Sequence, residues 1–123
     1  MNKTILHLED EEPIRLILGE WLKVEGYLVN SVASAGEALA AVRAAAPDLI
    51  ISDLQLAEAD GLKTVAQLLE IRPGTPVILL TGVLIDPQVA RETVGRLVTA
   101  YIEKTRPLSE IMATVTRLIG PAK

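Results

Sequence analysis

The sequence predicts an α/β domain, a five-stranded parallel sheet with helices on both faces, and two observations carry this prediction. Five short apolar runs alternate with longer segments of helical periodicity, and no linker, repeat or low-complexity stretch interrupts them. The runs at 49–51 and 77–80 are apolar without alternation, which is typical of strands buried on both faces. Strict alternation of strands and helices implies parallel pairing in a doubly wound sheet. The predicted strands are residues 4–8, 27–32, 48–52, 76–80 and 100–103.

The first predicted helix covers residues 13–25. Pro13 suits the first helical turn, and Gly26 suits the position just beyond the end. Apolar residues recur along this helix at i, i+3, i+4 spacing, so we expect one stripe that faces the core. The residues of this stripe are Ile14, Ile17, Leu18, Trp21 and Leu22.

Four further helices are predicted, each bounded by a capping residue or a helix breaker. The second opens with Ser34 and Glu37, which have the spacing of a capping box. Proline or glycine lies at or just beyond the expected end of most of them. In chain order they run from Ser34 to the residue before Pro47, from Asp60-Gly61 to about Arg72, from Asp86-Pro87 onward, and from Leu108 to Ile119.

Composition excludes several classes of protein. The 123 residues, half of them hydrophobic, fit one domain over residues 1–123 with one core. The absence of cysteine rules out a disulfide framework, and no apolar run approaches the roughly 18 residues of a membrane span. A net charge of −4, with no basic stripe, argues against a nucleic-acid module. We therefore expect a cytoplasmic protein, a monomer or weak dimer, that contacts neither nucleic acid nor membrane.

Polar residues follow four of the apolar runs, at the point where each strand is predicted to end. Glu9 and Asp10 follow the first run, Asp53 the third, Thr81 the fourth and Lys104 the fifth. In open parallel sheets, ligands bind beyond the carboxyl ends of the strands. We therefore expect two or three acids, one hydroxyl and one ammonium group to converge on one edge of the sheet.

This set of side chains suits a divalent cation and phosphoryl chemistry. The carboxylates of Glu9, Asp10 and Asp53 can share one Mg²⁺, which favours such ligands together with water and phosphate oxygens. Thr81 can donate a hydrogen bond to an oxyanion, and Lys104 can place a positive charge against it. A carboxylate beside a metal ion can also act as a nucleophile and form an aspartyl phosphate. Each residue alone has an ordinary role as a helix cap, a turn residue or a strand end. Their occurrence together at one edge of the sheet favours a functional site.

The sequence resembles the receiver domain of two-component response regulators over nearly its whole length. The matching segments are ILHLEDEEPIR, DLIISDLQLAEADGL, PVILLTG, and YIEK followed by PLSEI. Singly these motifs are weak, but in this order and spacing they are highly specific. The resemblance implies a flavodoxin-like sheet with strand order 2-1-3-4-5. It also implies a switch that takes a phosphoryl group from a sensor histidine kinase or a histidine phosphotransfer protein and then changes its surface toward a downstream protein target.

The resemblance implies a role for each polar residue. Asp53 would be the phosphoacceptor, Thr81 and Lys104 would bind the phosphoryl group, and Tyr101 would be the aromatic switch residue whose side chain rotates. The implied ligands of Mg²⁺ are Glu9, mostly through water, with Asp10, Asp53 and the backbone carbonyl of Gln55 binding directly.

Several positions depart from the family pattern. Glu9 stands where the family usually has aspartate, and Ala57 replaces the usual proline after the phosphoacceptor. Thr105 replaces the proline that normally follows the lysine, where the peptide bond is usually cis. Because a non-proline cis bond costs about 3–4 kcal/mol, we expect a trans bond here. His7 lies inside the first predicted strand, so we expect a packed, hydrogen-bonded histidine and not a phosphohistidine.

Other functions remain open at this point. A Mg²⁺-dependent phosphohydrolase would also use Asp53 as nucleophile, but such enzymes usually have an acid where Gln55 stands. A flavin or nucleotide binder needs a Gly- or Ser/Thr-rich loop after the first strand, where this chain has four acids. A receiver-like interaction module with vestigial phosphorylation is disfavoured by the intact set of Asp53, Thr81 and Lys104. We expect a switch with no output domain in this chain, and not an enzyme, since it turns over no metabolite.

Overall fold

Five parallel strands form one sheet in a computed structural model that describes residues 2–56, 60–82, 88, 92 and 96–122. The strand order is 2-1-3-4-5, and each neighbouring pair is parallel. The predicted sheet and its order are therefore confirmed. The strands are β1 (Thr4–Leu8), β2 (Leu28–Val32), β3 (Leu49–Asp53), β4 (Val77–Thr81) and β5 (Ala100–Glu103).

Four helices lie within the described ranges, namely α1 (Glu12–Val24), α2 (Ala35–Ala44), α3 (Gly61–Ile71) and α4 (Leu108–Ile119). The helix predicted from Asp86-Pro87 falls largely outside the described residues, as does Ala57. Gln88 and Glu92 are described and helical, and the Gln88 amide donates to Glu92 Oε1 at 3.1 Å. In the ranges that the structure covers, no helix is both long enough and apolar enough to cross a bilayer.

Most predicted boundaries lie within one residue of the observed ones. Two of the shifts concern the predicted site, since Asp53 and Thr81 are the last residues of β3 and β4 and do not follow them. Their backbones pair with Leu80 and Glu103, which extends both strands to the sheet edge. Helix α2 ends at Ala44, earlier than predicted, because the next residue, Ala45, is already extended (φ −157°, ψ 147°).

Two apolar clusters sandwich the sheet and account for the helices on both faces. One cluster joins α1 and α4 to the sheet, and the other joins α2 and α3 to the opposite face. The helical residues buried in the first are Leu18, Leu22, Ile111 and Val115, and those in the second are Ala38, Val42, Val65 and Leu68. The doubly wound arrangement predicted from the alternation of elements is therefore confirmed.

The apolar stripe of α1 is only partly buried, so the prediction that all of it faces the core is wrong. Leu18 and Leu22 are 2% and 0% exposed, but Ile17 is 58% and Trp21 is 39% exposed. Successive residues lie about 100° apart around a helix, so Ile17 and Trp21 point away from the line through Leu18 and Leu22. Trp21 instead lines a groove of about 260 Å³ between α1 and α4, beside Met112.

His7 is fully buried in β1, as predicted. Its Nδ1 lies 3.3 Å from Ser31 Oγ, and Nε2 has no hydrogen-bond partner among the described residues. Burial, reinforced by the charges of Arg15 and Lys104, lowers the pKa of His7 to about 4. The ring is therefore neutral in the folded protein throughout the physiological range.

This burial makes folding depend on pH. The unfolded chain, with a histidine pKa near 6.5, binds the proton before the folded protein does, so stability falls as pH drops from about 6.5 toward 4. We expect His7 to contribute a loss of about 2 kcal/mol between pH 7 and pH 5. Urea unfolding at both values should show a smaller loss for His7→Gln than for the wild type. An equal loss in both proteins would show that His7 does not carry this dependence.

Candidate functional site

The carboxyl edge of the sheet brings together the residues that the sequence predicted. The Lys104 ammonium, just beyond β5, lies 2.7 Å from Asp53 Oδ2 on β3 and 2.9 Å from Glu9 Oε1 just beyond β1. Thr81 ends β4 between them and is 1% exposed. Its backbone carbonyl accepts the Lys104 N–H at 2.7 Å, which ties the end of β5 to the end of β4.

Both oxygens of the Asp53 carboxylate have hydrogen-bond donors. Oδ1 accepts the Gln55 N–H at 3.1 Å, and Oδ2 accepts from Lys104. The residue is 3% exposed, at the end of a strand buried along its whole length. This carboxylate is therefore fixed in orientation, with its backbone held by the sheet.

The backbone of Asp53 and Leu54 lies against the start of α3. Asp60 caps this helix by accepting from the N–H groups of Leu62 and Lys63, and the Gly61 N–H donates to the Leu54 carbonyl at 2.9 Å. A Cβ on Gly61 would lie closer than 3.0 Å to the backbone oxygens of Asp53 and Leu54. Glycine at position 61 therefore permits the close approach that positions the Asp53 loop.

Among the described residues, four acids surround the site, one more than the sequence predicted. Carboxylate oxygens of Glu9, Asp10, Glu11 and Asp53 all lie within 4.8 Å of one another. Such a set of hard oxygen donors fits Mg²⁺, which binds through a few carboxylates and retains several waters. Glu11 was not predicted as a site residue, because an acid at the start of a helix also has an ordinary role, a favourable interaction with the helix dipole. The LEDEE run was the available signal.

Arg15 is a second residue that sequence reasoning missed. Its Nη1 donates to the backbone carbonyl of Glu9 at 2.9 Å and reaches that of Asp10 at 3.5 Å. These contacts hold the turn between β1 and α1 that carries the acids. The sequence shows that Arg15 lies one turn into α1. It does not show these contacts, because their acceptors are backbone carbonyls, which every residue has.

Burial and charge act in opposite directions on the two partners of the central ion pair. Burial raises the pKa of the Glu9 carboxyl, although the ion pair with Lys104 and the hydrogen bond from the Glu11 N–H act to lower it. Burial acts to lower the pKa of Lys104, but the hydrogen bond to Asp53 and the ion pair with Glu9 outweigh it and the pKa is raised. The ammonium therefore stays charged at neutral pH, whereas Glu9 ionises at a cost that a nearby cation reduces.

The remaining predicted residues lie around this centre. Gln55 is exposed two residues after Asp53, and Tyr101 is half-buried on β5, opposite Leu79 of β4. Tyr101 packs against the cluster on the α2 and α3 face. No cis peptide bond occurs among the described residues, so the trans bond expected at Lys104–Thr105 is confirmed.

The sequence that forms this site matches a known protein family. The family model of the response regulator receiver domain, which describes sequences, matches residues 5–116 of this chain. The chain belongs to this family. Receiver domains act as signalling switches, and phosphorylation and Mg²⁺ binding at an acidic pocket are typical of them. The matched residues include all four acids of the site, together with Thr81 and Lys104.

Individual relatives resemble this receiver domain to different extents. Transcriptional regulatory protein GlrR of Escherichia coli K12 is 38% identical over 78 residues, 63% of this chain but 18% of that protein. Chemotaxis protein CheY4 of Vibrio cholerae superposes with a TM-score of 0.88 at 26% identity, covering 96% of this chain and 99% of CheY4. A Burkholderia pseudomallei response regulator, solved with a phosphorylated aspartic acid, a calcium ion and citrate, has a TM-score of 0.81 at 28% identity, covering 91% of this chain and 65% of that one.

The contact at Gly61 can be tested by adding one methyl group. We expect Gly61→Ala to lower the free energy of unfolding by about 1–3 kcal/mol, because backbone oxygens must move away from the new Cβ. Gly36→Ala is the matched control, since nothing lies within 4 Å of its Cβ position in α2. That variant should be unchanged or up to about 1 kcal/mol more stable in urea unfolding. Equal stabilities for the two variants would contradict the close approach.

Proposed function

We propose that this receiver domain is a phosphorylation-dependent switch that accepts a phosphoryl group on Asp53 in the presence of Mg²⁺. The main support is the position of Asp53, a buried carboxylate at the end of β3 with an ammonium 2.7 Å from one oxygen and three further acids nearby. The donor is a sensor histidine kinase or a histidine phosphotransfer protein, and phosphorylation changes the surface offered to a downstream protein target.

The chemistry requires a nucleophile and neutralisation of charge. An oxygen of Asp53 attacks the phosphorus of a phosphohistidine, the P–N bond breaks with its electron pair passing to the imidazole nitrogen, and an acyl phosphate forms. The Lys104 ammonium and the Thr81 hydroxyl bind the transferred oxygens. Asp10, Asp53 and the Gln55 carbonyl would hold Mg²⁺, with Glu9 contributing mostly through water. The ion would supply charge neutralisation that this acidic edge lacks by itself.

Phosphorylation is expected at Asp53 and nowhere else. Incubation with acetyl phosphate and Mg²⁺ should add the mass of one phosphoryl group to the wild type, and EDTA should prevent it. Asp53→Asn should gain no mass, because an amide cannot act as the nucleophile. Asp48→Asn, just before the opposite end of the same strand, should be labelled like the wild type. Equal labelling of Asp53→Asn would overturn the assignment.

Coupling from the site to β5 should depend on Lys104 and Thr81. Both residues would bind the phosphoryl group, and the hydrogen bond between their backbones joins the two strands that carry them. Beryllofluoride, a phosphoryl mimic, should shift the amide NMR signals of Ala100–Glu103 in the wild type. The shifts should be largely lost in Thr81→Ala and Lys104→Ala, although Asp53 still accepts some phosphate.

The control for this experiment is Lys63→Ala, which removes an exposed lysine of α3. It should respond like the wild type. Full shifts in both site variants would show that coupling to β5 runs through other contacts.

A further inference from the structure

Three carboxylates of the described residues surround the Lys104 ammonium, which has three N–H donors. The distances are 2.7 Å to Asp53, 2.9 Å to Glu9 and 3.7 Å to Glu11. The first two side chains are buried, at 4% and 1% exposure, but that of Glu11 is 62% exposed. Glu11 is therefore the most distant of the three partners and the only one with ready access to water.

The backbone of Glu11, at the start of α1, is held beside the site. Glu11 is the N-cap residue, with φ −81° and ψ 113°, yet its side chain makes no capping hydrogen bond. Its backbone N–H donates to Glu9 Oε2 at 3.2 Å, which holds the backbone of Glu11 beside the site. The carboxylate thus lies near Lys104 and the other acids, and it makes no capping hydrogen bond to its own helix.

We propose that the Glu11 carboxylate competes with the phosphoryl group for the Lys104 ammonium. This inference rests on the proposed function, since it assumes that Lys104 binds the phosphoryl oxygens. One carboxylate must give way when those oxygens arrive, and Glu11 can do so at least cost because water rehydrates it. Its negative charge also repels the incoming anion. Glu11 therefore weakens occupancy of the site by phosphoryl groups until it is displaced.

The size of the effect follows from the exposure of Glu11. Ion pairs with an exposed partner are weak, so removing the charge should tighten binding of a phosphoryl mimic about two- to fivefold. Salt screens such interactions, with a Debye length of about 10 Å at 0.1 M and about 3 Å at 1 M. The difference between variant and wild type should therefore shrink strongly at high ionic strength.

The test compares Glu11→Gln with Glu12→Gln, which removes the same charge from the adjacent exposed position. With Mg²⁺ held saturating for each protein, the half-saturating concentration of beryllofluoride and the KM for acetyl phosphate are measured at low and high salt. We expect both to fall about two- to fivefold for Glu11→Gln at low salt, with Tm little changed. Glu12→Gln should match the wild type.

The possible outcomes distinguish failure of this inference from failure of the proposed function, phosphorylation of Asp53. If the wild type is labelled on Asp53 and Glu11→Gln has unchanged or weaker affinity, the inference is wrong and the proposed function stands. An equal gain in Glu12→Gln would assign the effect to overall charge and also overturn it. If the wild type takes up no phosphoryl group on Asp53, both proposals fail.

Discussion

The buried contact of Lys104 with Asp53 and Glu9 is the interaction on which the site depends. Two carboxylates with almost no access to water would repel each other, and an unpaired buried charge costs several kcal/mol. One ammonium faces the four acids described at this edge, so the edge remains electronegative even with the ion pair in place. A negatively charged edge of this kind attracts cations, and its charge distribution persists only while the three residues keep their relative positions.

The strand order explains why a lysine fills this role. Lys104 directly follows β5, which is two strands away from β3 in the sheet. Neighbouring strands of a sheet are about 4.8 Å apart. Its ammonium must therefore pass over the end of β4 to contact Asp53. Thr81 occupies that end with a short side chain, and only a long, flexible chain bearing a terminal charge can cross it. Sheet topology thus restricts the chemistry available at each strand end.

The sequence predicts this fold well because its strongest patterns are local. Continuous apolar strands, the Ser34 capping box and Asp60 at the start of α3 each depend on a few neighbouring residues. Which side chains converge at the edge also follows, since parallel strands end together. The burial of Trp21 was predicted wrongly, and Glu11 was missed, for a common physical reason. Both depend on how α1 is rotated and seated against distant elements, and periodicity sets the width of an apolar stripe but not its orientation.

The partial exposure of Trp21 affects how this protein can be observed. It is the chain's single tryptophan, and it lies in a groove between α1 and α4, outside the main core. Its side chain is already 39% exposed in the folded state, so unfolding changes its surroundings less than it would for a core residue. Intrinsic fluorescence is consequently a poor reporter of global unfolding here. It is a sensitive reporter of anything that covers the α1 surface.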